Sequence, residues 1–295
     1  MRVFLCGGTG FVGVHLRRVL LERGHEVRLL VHRRGALPKA GEEMVEGDVT
    51  IPATFAGALR GCEAVINLVG IIREAPVRLV TFERLHVEAT RNLIDAALAA
   101  NVKRFIQMSA LGTQPDAVSR YHRSKSRAEE YLRASGLDWT IFRPSIIFGP
   151  EDAFVTKLAG LIRRFPVVPV IGDGSYRLQP VSVTDVAHTF AMALEMPETV
   201  GRIYEVCGPD RFTLNELIDV IGRALGRERV AKLSQPLGLL QTIVPLFQWI
   251  PFFPVTMDQI QMLVGENFCD GTWQETFRFA PEHLAEGISR YLRKG

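Results

Sequence analysis

The chain has 295 residues, of which 47% are hydrophobic and 23% are charged, and its formal net charge is +3 at pH 7. This balance is typical of a globular protein with a sizeable core, and it excludes a disordered or fibrous chain. The charge is too small and the basic residues are too dispersed to predict a nucleic-acid-binding surface.

A glycine-rich turn near the start of the chain is the first predicted element. The apolar residues 3–5 form a short strand, and an apolar helical pattern begins directly after the turn. In a dinucleotide-binding turn, Gly7 allows the tight bend, Gly10 admits a pyrophosphate, and Gly13 lets the helix pack close to the strand. The helix N-terminus then offers N–H groups to the phosphates. The alternative is an ordinary glycine-rich turn. The predicted cofactor-binding residues here are Gly7, Thr9, Gly10, Phe11, Val12 and Gly13.

Strand and helix patterns alternate through the first half of the chain. Further strands are predicted over 27–31, 43–46, 64–69, 104–108 and 139–143, and helices over 81–100 and 121–134. Strands separated by helices imply crossover connections and a parallel sheet with helices on both faces. The sequence therefore predicts an α/β fold with a Rossmann-type doubly wound sheet, whose ligand lies beyond the carboxyl ends of the strands.

The pattern loosens after residue 150, which predicts two domains. Residues 1–150 are assigned to the dinucleotide-binding Rossmann domain. Residues 151–295 are assigned to a smaller C-terminal lobe on the substrate or partner side, with elements that return to the first domain. Asp185 is expected to cap a helix, and Thr213 and Glu216 have the spacing of a capping box. The other elements predicted here are helices over 154–165, 186–196 and 281–292 and a strand over 203–206.

Residues 236–255 form an uncharged apolar segment. Four prolines interrupt it, and a membrane-spanning helix of about 20 residues rarely carries that many breaks. No transmembrane span is therefore predicted. Two interpretations stay open. One is a short broken helix that packs on the second lobe or lines its pocket. The other is an exposed surface with Trp249, Phe252 and Phe253 that contacts a membrane interface or a partner protein.

Four cysteines, Cys6, Cys62, Cys207 and Cys269, are far apart and form no C-x-x-C pair. This spacing argues against a disulfide framework or a zinc site and favours reduced thiols. No metal-ligand spacing is found in the sequence. Because the first apolar run is a strand without a signal-peptide pattern, the protein is expected in the cytoplasm. It would lie at the periphery of a membrane if residues 236–255 contact one.

The residues after the second strand indicate which dinucleotide is bound. An acidic residue here would accept a hydrogen bond from the adenosine ribose and favour NAD(H). The chain instead has His32, Arg33 and Arg34, and two guanidinium groups can pair with a 2′-phosphate. NADP(H) is therefore expected in preference to NAD(H), and a solvated basic loop is the alternative. Asp48 and Val49, which follow the third strand, can bracket the adenine.

Tyr121 and Lys125 are the second strong indication of chemistry. At i and i+4 they share one face of a predicted helix. An ammonium group near the phenol lowers the pKa of the tyrosine, so Tyr121 can act as a general acid or base beside a nicotinamide. Lys125 can also hold the nicotinamide ribose, and a surface pair is the alternative. The later strands are expected to complete the cofactor site with Leu68, Val69, Gly70, Met108 and Pro144.

Together these motifs resemble the short-chain dehydrogenase/reductase superfamily of the extended type, which includes nucleotide-sugar epimerases and dehydratases. The chain is similar to the atypical branch that contains the 39 kDa accessory subunit of respiratory complex I and its bacterial relatives. Besides the glycine turn, the similarity lies in residues 61–70, 104–112, 121–130, 136–150, 179–187 and 258–263. The resemblance implies a Rossmann fold, NAD(P)H binding, and Tyr121 and Lys125 at the reaction centre.

Two positions depart from the pattern of active extended enzymes. Those enzymes usually have Ser followed by Ser or Thr after the fifth strand, whereas this chain has Ser109 followed by Ala110. Adjacent residues point to opposite faces, so Ser109 does not simply replace the missing hydroxyl, although it is kept as the third catalytic candidate. The asparagine of the preceding helix is replaced by His86. His86 and His122 are weighed as alternative acids against partly buried or surface histidines.

Two functions follow from these residues. In the first, the protein is an NADP(H)-dependent oxidoreductase or an epimerase/dehydratase-like enzyme, in which Tyr121 exchanges a proton with a hydroxyl or carbonyl group and Lys125 tunes it. In the second, it is a non-catalytic NADPH-binding accessory protein of a quinone-related or respiratory membrane complex, with its contact surface in residues 236–255. The retained Tyr121 and Lys125 favour the first function, and the missing hydroxyl and asparagine favour the second.

Overall fold

The computed structural model of the chain describes residues 1–32, 38–248, 250, 253 and 255–292. Its strands are β1 (Arg2–Cys6), β2 (Glu26–Val31), β3 (Glu42–Glu46), β4 (Ala64–Asn67), β5 (Arg104–Met108), β6 (Asp138–Pro144), β7 (Ile147–Phe148), β8 (Val167–Ile171), β9 (Arg177–Leu178), β10 (Val181–Ser182), β11 (Arg202–Val206), β12 (Phe212–Thr213) and β13 (Ala231–Gln235). Its α-helices are α1 (Phe11–Glu22), α2 (Ala89–Ala99), α3 (Arg120–Arg133), α4 (Val155–Arg164), α5 (Val183–Ala193), α6 (Leu214–Ala224), α7 (Leu237–Phe247), α8 (Met257–Val264), α9 (Trp273–Phe277) and α10 (Leu284–Leu292).

The main sheet has seven strands in the order β11-β6-β5-β4-β1-β2-β3. β1 pairs in parallel with β2 and β4, and the pairs β2–β3, β4–β5 and β5–β6 are also parallel. β1 and β4 are buried along almost their whole length, so apolar residues follow one another in them instead of alternating with polar ones. The register places Cys6 beside Asn67 and Asn67 beside Gln107, so that these strands end at one edge of the sheet. The predicted doubly wound parallel sheet is confirmed.

Local sequence explains where the helices begin. The Ser119 hydroxyl caps α3 by accepting a hydrogen bond from the His122 amide at 3.2 Å. Thr213 and Glu216 form the predicted capping box at the start of α6. The helix predicted over 81–100 is divided, because Glu83–Glu88 is a π-helical turn that precedes α2. A π-helical turn is rare, and the 3.6-residue apolar period of the sequence does not reveal it.

The chain forms two compact units. One comprises Met1–Arg143 and Val186–Tyr204, and the other comprises Pro144–Asp185 and Glu205–Gly295. Each has its own apolar core, as expected of separate compact units. The first core includes Phe4, Val65, Leu93, Phe105 and Leu132, and the second includes Phe148, Ile162, Val170, Leu217 and Ile288.

The predicted cap at Asp185 is wrong. α5 begins at Val183, so Asp185 lies inside its first turn. The Asp185 carboxylate instead accepts a hydrogen bond from the Glu282 amide at 2.8 Å. Burial raises the pKa of Asp185 to about 6, although this hydrogen bond opposes the rise. A carboxylate near a helix start thus accepts a hydrogen bond from a backbone amide that is distant in sequence, and local sequence does not reveal this partner.

Cys207 and Cys269 form a disulfide with an S–S distance of 2.19 Å, so the prediction of reduced thiols is wrong for this pair. The segment after α8 is also held next to the end of β9, because the Cys269 amide donates to the Gln179 side chain at 3.1 Å. The two cysteines are 62 residues apart, and tertiary structure, not local spacing, brings them together. Cys6 and Cys62 are free and buried.

α7 occupies the first part of the uncharged segment at 236–255. Leu246 is 70% exposed and Leu239 is 50% exposed, so this helix presents apolar side chains at the surface. Trp249 and Phe252, which were predicted to belong to the same surface, lie outside the described residues. Within the described ranges, each helix is either too short or too polar to span a bilayer.

Candidate active site

The turn between β1 and α1 has a geometry that suits a pyrophosphate. Gly7 has a φ of +77°, and a Cβ there would lie 2.9 Å from the backbone of Leu68, so the turn packs against the loop after β4. A Cβ at Gly13 would lie 2.4 Å from the Gly7 carbonyl oxygen, so α1 begins in direct contact with the turn. Gly10 is the N-cap residue, and no side chain in the described part of the protein caps α1. The first-turn N–H groups are therefore left for a phosphate.

Gly8 is a further requirement of this turn that the motif spacing does not reveal. A Cβ on Gly8 would lie 2.3 Å from a methyl group of Leu29 and 2.8 Å from one of Leu5. Gly8 therefore lets apolar side chains of β1 and β2 pack directly beneath the turn. Of the other residues predicted to bind the cofactor here, the structure exposes Thr9 and Gly10, half-buries Phe11 and buries Val12.

His32 and Asp48 lie at the ends of the adjacent strands β2 and β3, where the adenosine half of a dinucleotide is expected. Asp48 Oδ1 accepts hydrogen bonds from the amide and the hydroxyl of Thr50, both at 2.8 Å. Asp48 Oδ2 is 3.8 Å from His32 Nδ1. The structure therefore brings these two predicted residues together. Arg33 and Arg34, on which the expected NADP(H) preference depends, lie outside the described residues.

The remaining predicted backbone positions also lie at the carboxyl ends of strands. Val49 follows β3, and its carbonyl accepts a hydrogen bond from the Asn92 side chain at 3.1 Å. Leu68 follows β4 and lies against the glycine turn. Met108 and Pro144 end β5 and β6. This is the edge of a doubly wound sheet at which ligands bind.

Lys125 lies where α3 meets the loop after β4 and the end of β5. Its Nζ donates long hydrogen bonds to the carbonyls of Val69 at 3.4 Å and Met108 at 3.3 Å. A Cβ on Gly70 would lie 2.9 Å from Nζ, so the ammonium closely approaches this glycine. An ammonium has three N–H groups, and these two bonds leave one for a ribose hydroxyl. Burial lowers the pKa of Lys125 to about 8, against a raising effect of Glu129.

A buried cluster of amide side chains fixes the two carbonyls that hold the lysine. Asn67 donates to Thr90 Oγ1 at 3.1 Å and to Gln107 Oε1 at 3.0 Å, and its own oxygen accepts from the Val69 amide at 3.0 Å. Gln107 donates to the Met108 carbonyl at 2.9 Å. Sequence reasoning missed this cluster. The available signal was an amide residue directly after the apolar run of β4 and another after the apolar pair of β5, since buried amides need partners.

Tyr121 lies in the first turn of α3 among aromatic rings. Phe82, His86 and His122 each contact its ring edge to face, with centroid distances of 5.8, 5.3 and 5.2 Å. Burial raises the pKa of Tyr121 to about 12. The predicted lowering of this pKa by Lys125 is therefore wrong for the protein without cofactor, because desolvation dominates. At neutral pH the side chain is a phenol and can donate a proton.

Ser109, the third catalytic candidate, lies just beyond β5 and is buried. Its amide donates to the Phe142 carbonyl at 2.7 Å, which holds the backbone in place. Its hydroxyl is 3.3 Å from the Thr113 hydroxyl. Ala110, at the position where related enzymes carry a hydroxyl, has none. The catalytic role of Ser109 stays a prediction.

Residues 7–197 match a family model described as NAD(P)H-binding. The match spans more than half of the chain and includes the glycine turn, the strand ends and α3. The chain therefore belongs to the NAD(P)H-binding family, and the binding of a nicotinamide dinucleotide is established at this level.

Known proteins similar to this chain support the same assignment. NADH dehydrogenase (ubiquinone) 1 alpha subcomplex subunit 9 of Arabidopsis thaliana is 32% identical over 227 residues, which are 73% of this chain and 56% of that protein. A ceramide reductase of Caulobacter vibrioides is 35% identical over 244 residues, which are 81% of this chain and 75% of that protein. The chain thus spans little more than half the length of the Arabidopsis protein.

Among solved structures, UDP-glucose 4-epimerase of Thermotoga maritima superposes with a TM-score of 0.77 at 21% identity, covering 100% of this chain and 99% of that one. At this identity the likeness shows the fold. With the family match and the relatives, it confirms the predicted resemblance to extended short-chain dehydrogenase/reductases and to the branch of the respiratory subunit.

Proposed function

We propose that this member of the NAD(P)H-binding family is an NADP(H)-dependent oxidoreductase that reduces a carbonyl group, with Tyr121 as proton donor and Lys125 as the residue that holds the nicotinamide ribose. The observation that carries the proposal is the position of the Lys125 ammonium. It is buried, it is bonded to the Val69 and Met108 carbonyls, and it lies against Gly70. When bound, the nicotinamide ring supplies the hydride.

The protonation states favour reduction over the reverse reaction. Because the pKa of Tyr121 is raised to about 12, its hydroxyl carries a proton at neutral pH and can give it to an alkoxide that develops on the substrate. The pKa of Lys125, about 8, keeps most of this side chain cationic at pH 7.

The preference for NADP(H) is part of the proposal and depends on Arg33 and Arg34. A double variant with alanine at both positions is expected to weaken NADPH binding by about 10- to 100-fold, because charge-assisted bonds to a phosphate are lost. Its affinity for NADH should stay unchanged. Calorimetric titration of both cofactors measures the split, and an equal loss for both would contradict the assigned role.

Replacement of Tyr121 tests the proposed reaction. Tyr121→Phe should abolish NADPH-dependent reduction while retaining NADPH affinity, since only the hydroxyl is removed. Tyr131→Phe is the matched control: it lies on the same helix, and its hydroxyl donates to Asp95 at the surface. Ceramide-type lipids are the first substrates to test, because a relative bears that name. Unchanged turnover in Tyr121→Phe would refute the proposal.

A second function is favoured by the exposure of α7. In it, NADPH is a structural ligand, and the apolar side chains of Leu239 and Leu246 contact a membrane complex, as suggested by a relative named as a respiratory subunit. Leu239→Gln and Leu246→Gln should then reduce co-sedimentation of the protein with membranes. Val77→Gln, a change at a fully exposed apolar residue of the other unit, should not. Wild-type protein that stays in the supernatant would rule this function out.

A further inference from the structure

His86 lies in the π-helical turn Glu83–Glu88, directly beside Tyr121. Its side chain is 1% exposed. The Phe82 ring stacks on it at a centroid distance of 5.3 Å and an angle of 23°, and the Tyr121 ring meets it edge to face at 5.3 Å. π-helical turns are rare and are found frequently at functional sites. The packing and the local helix form both indicate that this histidine is held in a defined orientation.

The hydrogen bonds of His86 determine its tautomer. The Ile71 amide lies 3.0 Å from Nε2. A backbone N–H can only donate, so Nε2 must carry a lone pair. In a neutral imidazole the proton is then on Nδ1, which lies 2.7 Å from the Ser124 hydroxyl oxygen. If Nε2 were also protonated, its N–H would point at the N–H of Ile71. Burial and the charge of Lys125 also lower the pKa of His86, to about 2.

The same bonds form a series of hydrogen bonds in which each group donates to the next. The Ile71 amide donates to His86, His86 Nδ1–H donates to Ser124, and the Ser124 hydroxyl donates to the Tyr121 carbonyl at 2.7 Å. Both side chains are buried. This hydrogen-bond series therefore connects the loop after β4, where Gly70 lies against Lys125, to the first turn of α3. Because both ring nitrogens are committed, His86 has no lone pair or proton left to exchange with a substrate.

We propose that His86 is a positioning residue, a neutral imidazole that joins the loop Gly70–Ile71 to α3 and thereby sets the nicotinamide half of the cofactor site. The inference rests on the proposed roles of Gly70 and Lys125 in holding the cofactor, but it does not require turnover. It assigns a structural use to the position at which related enzymes carry an asparagine, and it removes His86 from the candidate acids.

The tautomer gives the first test, which is independent of catalysis. In protein labelled with ¹⁵N-histidine, the His86 resonances at neutral pH should show a protonated Nδ1 and an unprotonated Nε2. His86→Gln identifies the resonances by their loss. An Nε2–H tautomer or a doubly protonated ring would overturn the inference. The result would leave the role of Tyr121 untouched.

Cofactor affinity gives the second test. The probes are NADPH and adenosine 2′,5′-bisphosphate, which lacks the nicotinamide half. Ser124→Ala, which removes the hydrogen bonds of the Ser124 hydroxyl but leaves the imidazole in place, should weaken NADPH binding by about 10-fold, as loss of a buried hydrogen bond predicts. Its affinity for the bisphosphate should stay within about 2-fold, since its contacts are unchanged. His86→Leu should behave alike, and His86→Gln, whose amide oxygen can accept from Ile71, should recover part of the loss.

The matched control is His25→Gln, since His25 is a buried histidine of the same compact unit that precedes β2. This variant should bind both probes as the wild-type protein does. An equal loss of affinity for both probes in Ser124→Ala and His86→Leu would indicate a general structural role. Unchanged NADPH affinity would show that these hydrogen bonds do not position the site. Either result overturns the inference.

Discussion

Gly70→Ala is expected to damage the nicotinamide half of the site without unfolding the protein. The new Cβ would lie 2.9 Å from Lys125 Nζ, so the ammonium must retreat by about 0.5 Å to reach an ordinary contact of 3.4 Å. Its bonds to Val69 and Met108 are already 3.4 and 3.3 Å long, so the retreat breaks at least one of them. A hydrogen bond from a charged donor contributes about 1.5–3 kcal/mol, which corresponds to about a 10- to 150-fold loss of kcat/KM.

The matched control for this change is Gly57→Ala, because a Cβ at Gly57 meets nothing within 4 Å. Melting temperature, NADPH affinity and kcat/KM are measured for both variants. The clash at Gly70 involves the far end of a flexible side chain, so the two melting temperatures should agree within a few degrees. If Gly70→Ala keeps wild-type kcat/KM and NADPH affinity, Lys125 does not hold the nicotinamide ribose from this position, and the reasoning is refuted.

Three further predictions follow from the structure. Gly13→Ala should lower the free energy of unfolding by about 1–3 kcal/mol or more, because its Cβ would lie 2.4 Å from the Gly7 carbonyl oxygen; a wild-type denaturation midpoint would contradict this. Carbonyl reduction should be nearly constant below about pH 7 and should fall to about half at pH 8, the pKa of Lys125 in the protein without cofactor. The same decline in a profile of kcat/KM for NADPH against pH in Lys125→Arg would assign it to another group, since a guanidinium stays charged. Reduction of the disulfide between Cys207 and Cys269, which are 62 residues apart, should lower the free energy of unfolding by about 4 kcal/mol by chain entropy; an unchanged melting temperature in thiol reductant would argue against the bond.

The apolar runs in β1, β2 and β4 and the helical patterns between later strands were sufficient to predict the sheet. β5 begins at Arg104 and ends at Met108, as predicted. β4 was predicted to reach residue 69 but ends at Asn67, because the Asn67 side chain accepts a hydrogen bond from the Val69 amide and turns the backbone away from the strand direction. Apolar periodicity identifies a strand, whereas a side-chain hydrogen bond of this kind decides where it ends.

The parts that could not be predicted depend on partners far away in sequence. Asn67 and Gln107 are 40 residues apart, and each could be recognised as an unusual polar residue in a strand, but not as the other's partner. Asp185 is of a residue type that often caps helices, yet its carboxylate accepts a hydrogen bond from a backbone amide 97 residues later. His86 was noted as a departure from an asparagine pattern, and only the contacts of both ring nitrogens show what it does.

The burial of Lys125 bears on how the two proposed functions can be separated. The lowering of its pKa from 10.5 to about 8 means that keeping this ammonium charged inside the protein costs about 3 kcal/mol. A ribose hydroxyl that accepts the remaining N–H would recover part of this cost, so NADPH should stabilise the fold. Mass action adds about 2.7 kcal/mol at a cofactor concentration 100 times Kd. Both functions predict this stabilisation, and a thermal shift by NADPH therefore cannot distinguish them. Loss of turnover in Tyr121→Phe with the thermal shift retained is expected of the enzyme alone.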